Sequence, residues 1–164
     1  RILKEKRNIV LCGMPSSGKT TVGKEIAKVF GKKFIDTDDV VVEKRKESIS
    51  DIFEKYGEGE FRKEERLAIE ELSKENGLVI ATGGGAVLDE NNVRALRRNG
   101  VILFLDRNLE NLVATADRPL SKDKEKLKNL FEKRYDVYKS CADAVIPADG
   151  EIADVVEKIK GVLL

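Results

Sequence analysis

The sequence predicts an α/β fold in which helices cover both faces of a five-stranded parallel sheet. Five short apolar runs alternate with helical patterns, which is typical of parallel strands joined by helices. A glycine-rich segment stands between the first run and the first helical pattern, where a phosphate-binding loop is expected. The runs cover residues 8–12, 33–36, 78–82, 101–105 and 144–146.

The glycine-rich segment covers residues 13–20 and reads Gly-Met-Pro-Ser-Ser-Gly-Lys-Thr. Glycines at both ends let the backbone wrap around one anion, and the following helix adds the positive end of its dipole. Lys19 can then reach the β- and γ-phosphates of a nucleotide, while the Thr20 hydroxyl suits Mg²⁺. A simple glycine-punctuated turn is the alternative, but strand, loop, Lys-Thr pair and helix stand in the order that a phosphate site requires.

The first helix is expected to begin at the end of this loop. Val22, Ile26, Val29 and Phe30 recur at helical spacing, and Gly31 stands where a left-handed C-terminal cap is expected. The sequence therefore predicts a strand, loop and helix unit over about the first 30 residues.

The second strand ends in Asp36-Thr37-Asp38-Asp39. Ligands of open α/β sheets lie beyond the carboxyl ends of the strands, so Asp36 and Asp38 are candidate site residues. One carboxylate can hold the water shell of a metal while the other orients an attacking hydroxyl and takes its proton, since the chain has no His. The alternative is that Asp38 or Asp39 caps a helix.

Two further segments before the fourth strand are candidates. Three glycines, residues 83–85, follow Thr82 at the end of the third strand and expose backbone N–H groups that can approach a carboxylate or phosphate, although a tight connecting turn is the alternative. Arg62 precedes a long charged helix, and taken alone it is most often a surface Arg paired with a neighbouring Glu.

A polar segment at residues 114–121 lies between two predicted helices and contains Arg118. We expect one domain over residues 1–164 with a mobile lid at about 113–126, because closure over ATP excludes water and an Arg on the lid can stabilise transition-state charge. An ordinary helix connector is the alternative.

Composition excludes several classes of protein. Lys and Arg number 31 against 30 Asp and Glu, and aromatic residues are 5% of the chain, so neither a positive field nor base stacking favours nucleic-acid binding. The sequence contains no apolar run long enough to span a membrane and no apolar N-terminal segment typical of a signal peptide. A cytoplasmic, monomeric protein is expected. Cys12 and Cys141 are expected to be small buried side chains rather than a disulfide or metal site.

Taken together, these residues resemble shikimate kinase over nearly the whole chain. The phosphate loop alone is shared by many nucleotide enzymes, whereas the aspartate pair, the Phe-Arg pair, the glycine triplet and the Arg-Pro-Leu segment are far more specific. The segments that carry the resemblance are 13–20, 36–38, 48–53, 57–62, 82–85, 118–120 and 134–138.

The resemblance implies a role for each matching residue. Lys19 would contact the transferred phosphoryl group, Thr20 would bind Mg²⁺ directly, and Asp36 would hold the metal through water. Arg118 resembles the lid arginine of the family, which contacts ATP and the developing charge. The residues implied for the ATP phosphates are Ser16, Ser17, Gly18, Lys19, Thr20 and Thr21, together with Arg118.

On the substrate side, the resemblance implies that Asp38 bonds the ring hydroxyls of shikimate and helps to deprotonate the 3-hydroxyl. Arg62 and Arg134 would clamp the substrate carboxylate, and Gly84 would add a backbone contact. Paired hydrogen bonds from a planar guanidinium suit that task, and Lys cannot reproduce them. The catalytic residues are therefore expected to be Lys19, Asp38 and Arg118.

The implied fold is a P-loop kinase with a five-stranded parallel sheet, similar to nucleoside monophosphate kinases. The implied activity is ATP-dependent phosphorylation of the 3-hydroxyl of shikimate, in the pathway to chorismate and aromatic amino acids. Two alternatives stay open, namely a kinase for gluconate or a nucleoside monophosphate, and a catalytically silent nucleotide-binding relative. Because the chain begins at Arg1, excision from a fusion with another pathway enzyme is a further expectation.

The chain departs from the family pattern near the lid and the C-terminus. Residues 112–116 lack the basic side chain that many members carry before Arg-Pro-Leu, and Ser121 stands where a second Leu is common. Residues 147–150, in the region expected to contact adenine, also lack a basic side chain. These departures bear on rate and adenine affinity rather than on the assignment.

Overall fold

The structure of the chain is a computed structural model that describes residues 7–115 and 121–164. All strand pairings in it are parallel, and they join five strands into one sheet. The strands are β1 Asn8–Cys12, β2 Lys33–Asp36, β3 Leu78–Ala81, β4 Gly100–Asp106 and β5 Ala144–Pro147. Their order across the sheet is β2-β3-β1-β4-β5, so the strand that leads into the phosphate loop is central.

Helices connect these strands, as the alternation of patterns predicts. A short 3-10 helix, Ala86–Leu88, follows β3. No helix among the described residues is long and apolar enough to cross a membrane. The α-helices are α1 Lys19–Phe30, α2 Thr37–Arg45, α3 Ile49–Tyr56, α4 Glu58–Ser73, α5 Glu90–Asn99, α6 Leu109–Thr115, α7 Ser121–Cys141 and α8 Ile152–Leu163.

The five predicted strands are all present, with small differences in their ends. The first two have the predicted bounds, whereas β3 ends one residue early, at Ala81, although the Thr82 N–H still donates to the Leu11 carbonyl oxygen at 3.1 Å. Strand β4 is longer than predicted, since Gly100 pairs with Asn8 at one end and Asp106 pairs with Pro147 at the other. Apolar character marks the buried middle of a strand better than its ends.

Alternate residues of the central strands feed two hydrophobic clusters, one on each face of the sheet. Val10, Ile80 and Ile102 pack with side chains of α4, α5 and α7. The neighbouring positions, among them Ile9 and Leu11, pack on the other face with side chains of α1 and α8. This arrangement explains why all five residues of β1 are buried.

Helix α1 differs from its predicted pattern at one position. Val22 and Ile26 are buried as expected, but Val29 is 46% exposed because Phe30 packs against the sheet cluster instead. Gly31 has the predicted left-handed conformation, with φ 63°, and caps the helix. Cys12 and Cys141 are both buried free thiols, which confirms their predicted burial.

Candidate active site

The phosphate loop joins the central strand β1 to α1 and has an unusual backbone. Gly13 and Gly18 have φ 148° and 94°, and Ser16 has φ 68°, all in the left-handed region. A Cβ on Gly13 would lie 3.0 Å from the Leu105 carbonyl oxygen, so a side chain there would press on the backbone of β4 and also be strained by the positive φ. Gly18 caps α1 without any side-chain hydrogen bond, which leaves the helix N-terminus available to an anion.

Lys19 folds back over this loop. Its Nζ donates to the carbonyl oxygens of Gly13 at 2.8 Å and Met14 at 2.9 Å. Burial lowers the pKa of Lys19 to about 8, although the carboxylates of Asp36 and Asp38 nearby oppose this shift. The ammonium is thus held next to the loop and close to both aspartates, where a phosphate could exchange for the carbonyl contacts.

The two aspartates at the end of β2 have different surroundings. Asp36 is the residue that caps α2, since its Oδ1 accepts from the N–H of Asp38 at 2.8 Å. Asp38 lies in the first helical turn, and its Oδ1 is buried without a hydrogen-bond partner among the described residues. Burial raises the pKa of both carboxyls, and at Asp38 the neighbouring charge of Asp36 adds to the effect.

The glycine run after β3 lies beneath three charged side chains. A Cβ on Gly83 would be 2.6 Å from Oδ1 of Asp38, and one on Gly85 would be 2.6 Å from Nη2 of Arg62. On Gly84 it would be 2.7 Å from Nη1 of Arg134. A side chain on any of these glycines would displace one of the charged groups, so the glycines allow one carboxylate and two guanidinium groups to lie against the backbone.

Arg62 is positioned by a small helical unit formed by α2, α3 and α4. The unit has its own apolar cluster, which includes Val41, Ile52 and Phe61. Arg62 follows Phe61 and donates from Nη1 to Oε1 of Glu65 at 2.9 Å. Because the Glu65 side chain is only 1% exposed, this pair is unlike the exposed pairs that contribute little.

Arg134 and Tyr138 lie one turn apart on α7, on the other side of the glycine run. Tyr138 is fully buried, and its hydroxyl donates to the carbonyl oxygen of Gly84 at 2.6 Å. On the same helix, the Tyr135 hydroxyl donates to Oδ2 of Asp106, at the end of β4, at 2.7 Å. Helix α7 is therefore tied to the ends of two strands at the level of the site.

Comparison with known proteins identifies the family. The family model for shikimate kinase matches residues 15–163. The shikimate kinase of Clostridium botulinum strain Alaska E43 is 40% identical over 163 residues, which cover 97% of this chain and 98% of the relative. The chain belongs to the shikimate kinase family. A second family member, from Caldanaerobacter subterraneus, is 42% identical over 160 residues, covering 93% of this chain and 94% of its own length.

Solved structures of the family agree with the fold. The shikimate kinase of Acinetobacter baumannii, in complex with shikimate, has a TM-score of 0.91 at 31% identity and covers 98% of this chain and 94% of its own. The enzyme of Aquifex aeolicus has a TM-score of 0.87 at 32% identity, with 95% of each chain covered. The predicted parallel five-stranded P-loop kinase fold is confirmed.

The structure brings most of the predicted site residues together at the carboxyl ends of β1, β2 and β3. Lys19, Asp36 and Asp38 lie within electrostatic reach of one another, and Asp38, Arg134 and Arg62 lie against the three successive glycines of the run. Ser16, Thr20 and Thr21 lie exposed at the phosphate loop, whereas Ser17 is buried there. Arg118 lies outside the described residues, as does the centre of the predicted lid, and α6 and α7 flank that gap.

Three alternatives from the sequence can be compared with this geometry. Helix capping at the end of β2 is done by Asp36 rather than by Asp38 or Asp39, which leaves Asp38 facing the site. The glycine run does make a turn, into the 3-10 helix, and it also lets three charged side chains approach its backbone closely. Arg62 does pair with Glu side chains, yet it also lies against Gly85.

Sequence reasoning missed three side chains that shape the site. Thr37 accepts from the N–H of Gly83 at 3.1 Å, Glu65 holds Arg62, and Tyr138 holds Gly84. Helical spacing could have indicated two of them, since Glu65 is three residues after Arg62 and Tyr138 is four residues after Arg134.

In the region expected to contact adenine, Arg107 donates from Nη1 to the Ala148 carbonyl oxygen at 3.1 Å.

Proposed function

We propose that the chain transfers the γ-phosphoryl group of ATP to the 3-hydroxyl of shikimate, giving shikimate 3-phosphate and ADP. The observation that carries this proposal is the convergence of Asp38, Arg62 and Arg134 on the glycine run, next to a phosphate loop. Two guanidinium groups and one carboxylate are complementary to a small acid that also carries hydroxyl groups. Family membership points to the same substrate.

The substrate carboxylate would bind between Arg62 and Arg134, with the backbone of Gly84 below it. The Arg62 and Arg134 guanidinium groups lie over adjacent glycines, so one carboxylate placed between them can accept from both. Glu65 fixes the Arg62 side chain in the orientation that this contact needs. The ring of the substrate is then directed toward Asp38.

Asp38 would accept the proton of the attacking hydroxyl. The hydroxyl oxygen forms its bond to the γ-phosphorus, the bond to the bridging oxygen of ADP breaks with its electron pair on ADP, and the hydroxyl proton passes to Asp38. Its unpartnered Oδ1 offers a free acceptor, and its raised pKa strengthens it as a base. Lys19 would stabilise charge on the transferred group from the opposite side.

A magnesium ion fits the residues at this edge of the sheet. The Thr20 hydroxyl and the Asp36 carboxylate are oxygen donors, which Mg²⁺ prefers. No group of three or more His, Cys, Asp or Glu side chains in the described part of the chain could hold a metal alone. The ion would be held by one or two protein oxygens together with nucleotide phosphates, whose charge it would neutralise when bound.

A lid completes the proposal. The segment between α6 and α7 would close over ATP and bring Arg118 to the phosphates, within a domain that spans residues 1–164. Helix α7, which follows this segment, carries Arg134, so closure of the segment would bring a nucleotide contact next to the helix that holds a substrate contact.

The test is ADP release with Mg-ATP and one acceptor at a time, namely shikimate, gluconate or a nucleoside monophosphate, each compared with ATP alone. We expect release that depends on shikimate. Activity with another acceptor alone would overturn the substrate assignment and leave the phosphate loop in place. ATP binding with no phosphoryl transfer to any acceptor would favour the silent nucleotide-binding alternative.

A further inference from the structure

The peptide group between Gly84 and Gly85 can rotate easily unless a hydrogen bond holds it in one orientation. Glycines on both sides remove the steric barriers that normally limit rotation of a peptide plane. The neighbouring peptide groups are held, because the Gly83 N–H donates to Thr37 Oγ1 at 3.1 Å and the Gly83 carbonyl accepts from the Ala86 N–H at 3.0 Å. On the other side, the Gly85 carbonyl accepts from the Leu88 N–H at 3.2 Å, so the Gly84 carbonyl lies between held groups.

Tyr138 forms the hydrogen bond that holds this peptide group. Its hydroxyl donates to the Gly84 carbonyl oxygen at 2.6 Å, and its ring is buried against Phe104 with centroids 5.2 Å apart. Burial raises the pKa of Tyr138 to about 12, although Arg134 beside the hydroxyl opposes the shift. The hydroxyl therefore stays protonated, and stays a donor, at neutral pH.

Because the peptide group is planar, holding its carbonyl also fixes the direction of its N–H. In a trans peptide the C=O and N–H point in opposite directions, so the bond that holds the Gly84 carbonyl toward Tyr138 turns the Gly85 N–H away from it. Neither the Gly84 N–H nor the Gly85 N–H has a hydrogen-bond partner within residues 7–115 and 121–164. The guanidinium groups of Arg62 and Arg134 approach these same two residues.

We propose that Tyr138 is a positioning residue for substrate binding: it holds the Gly84–Gly85 peptide so that its N–H joins Arg62 and Arg134 in binding the substrate carboxylate. If the peptide rotated, its carbonyl oxygen would face the carboxylate and repel it. Tyr138 does not touch the substrate in this account. The inference rests on the proposed function, since it assumes that a carboxylate binds between the two arginines.

The test compares Tyr138→Phe with Tyr135→Phe. Each variant loses one phenolic hydroxyl from α7, but only the first releases the Gly84 carbonyl, because the Tyr135 hydroxyl bonds Asp106. For Tyr138→Phe we expect the KM for shikimate to rise about tenfold, with little change in kcat and in the KM for ATP. Tyr135→Phe should leave the KM for shikimate near the wild-type value.

A second readout separates positioning from simple structural support. The shikimate analogue with a carboxamide in place of the carboxylate has no negative charge for the N–H to bind. Wild type should prefer shikimate strongly over this analogue, and Tyr138→Phe should reduce that preference about tenfold. An equal loss with both acceptors, an unchanged KM for shikimate, or a variant that fails to fold would overturn the proposal. Absence of shikimate phosphorylation by wild type would instead overturn the proposed function.

Discussion

Replacing Gly83 by Ala should displace the proposed base without altering its chemistry. The new Cβ would lie 2.6 Å from Oδ1 of Asp38, whereas ordinary contact begins at 3.4 Å, so the carboxylate must move by about 0.8 Å. A misplacement of about 1 Å in an active site can lower the rate by about 10²-fold. We therefore expect the kcat of Gly83→Ala to fall by about two orders of magnitude, with ATP affinity nearly unchanged.

Steady-state ADP release with saturating shikimate and ATP measures this effect. Gly83 does not have positive φ, so backbone strain should not confuse the result. Gly161→Ala is a suitable control, because a Cβ there meets no atom within 4 Å. A Gly83→Ala variant with kcat within twofold of wild type would refute the claim that Asp38 must stay where the glycine run places it.

Three further predictions concern charged groups of the site. Asp38→Asn should lower kcat by at least about 10²-fold while ATP still binds, and unchanged turnover would remove Asp38 from the chemistry. Arg134→Ala should raise the KM for shikimate by the equivalent of roughly 2–4 kcal/mol, and a change in the KM for ATP alone would contradict the carboxylate clamp. ATP titrations should show affinity falling about tenfold between pH 7 and pH 9, because Lys19, with a pKa of about 8, loses its charge over that range while bound phosphate favours the charged form. A flat profile would show that the Lys19 charge does not contribute to ATP binding.

Local patterns in the sequence were enough to predict the strands, the phosphate loop and the cap at Gly31. Each depends on residues close in sequence, such as an apolar run or a glycine with φ 63° at a helix end. The strand order β2-β3-β1-β4-β5 depends instead on pairings between residues far apart in the sequence, such as Ile9 with Val79 and Leu103 with Ala144. Local periodicity contains no information about such pairings.

In the candidate site, too, some features follow from local sequence and others depend on how the helices pack. The glycine run indicated a close approach, but which side chain lies over each glycine depends on how α2, α4 and α7 pack around the end of β3. Asp36 illustrates a competition that the pattern left open, because a carboxylate at a strand exit can cap a helix or face a ligand. Helical spacing places Tyr138 beside Arg134, but its hydrogen bond to the Gly84 carbonyl follows only from the fold, since the two residues are 54 positions apart.

A crystal structure with shikimate and ADP bound would test the central claim most directly. We expect the shikimate carboxylate within hydrogen-bond distance of Arg62 and Arg134, with the 3-hydroxyl hydrogen-bonded to Asp38. A carboxylate bound elsewhere, or a 3-hydroxyl directed away from Asp38, would contradict it.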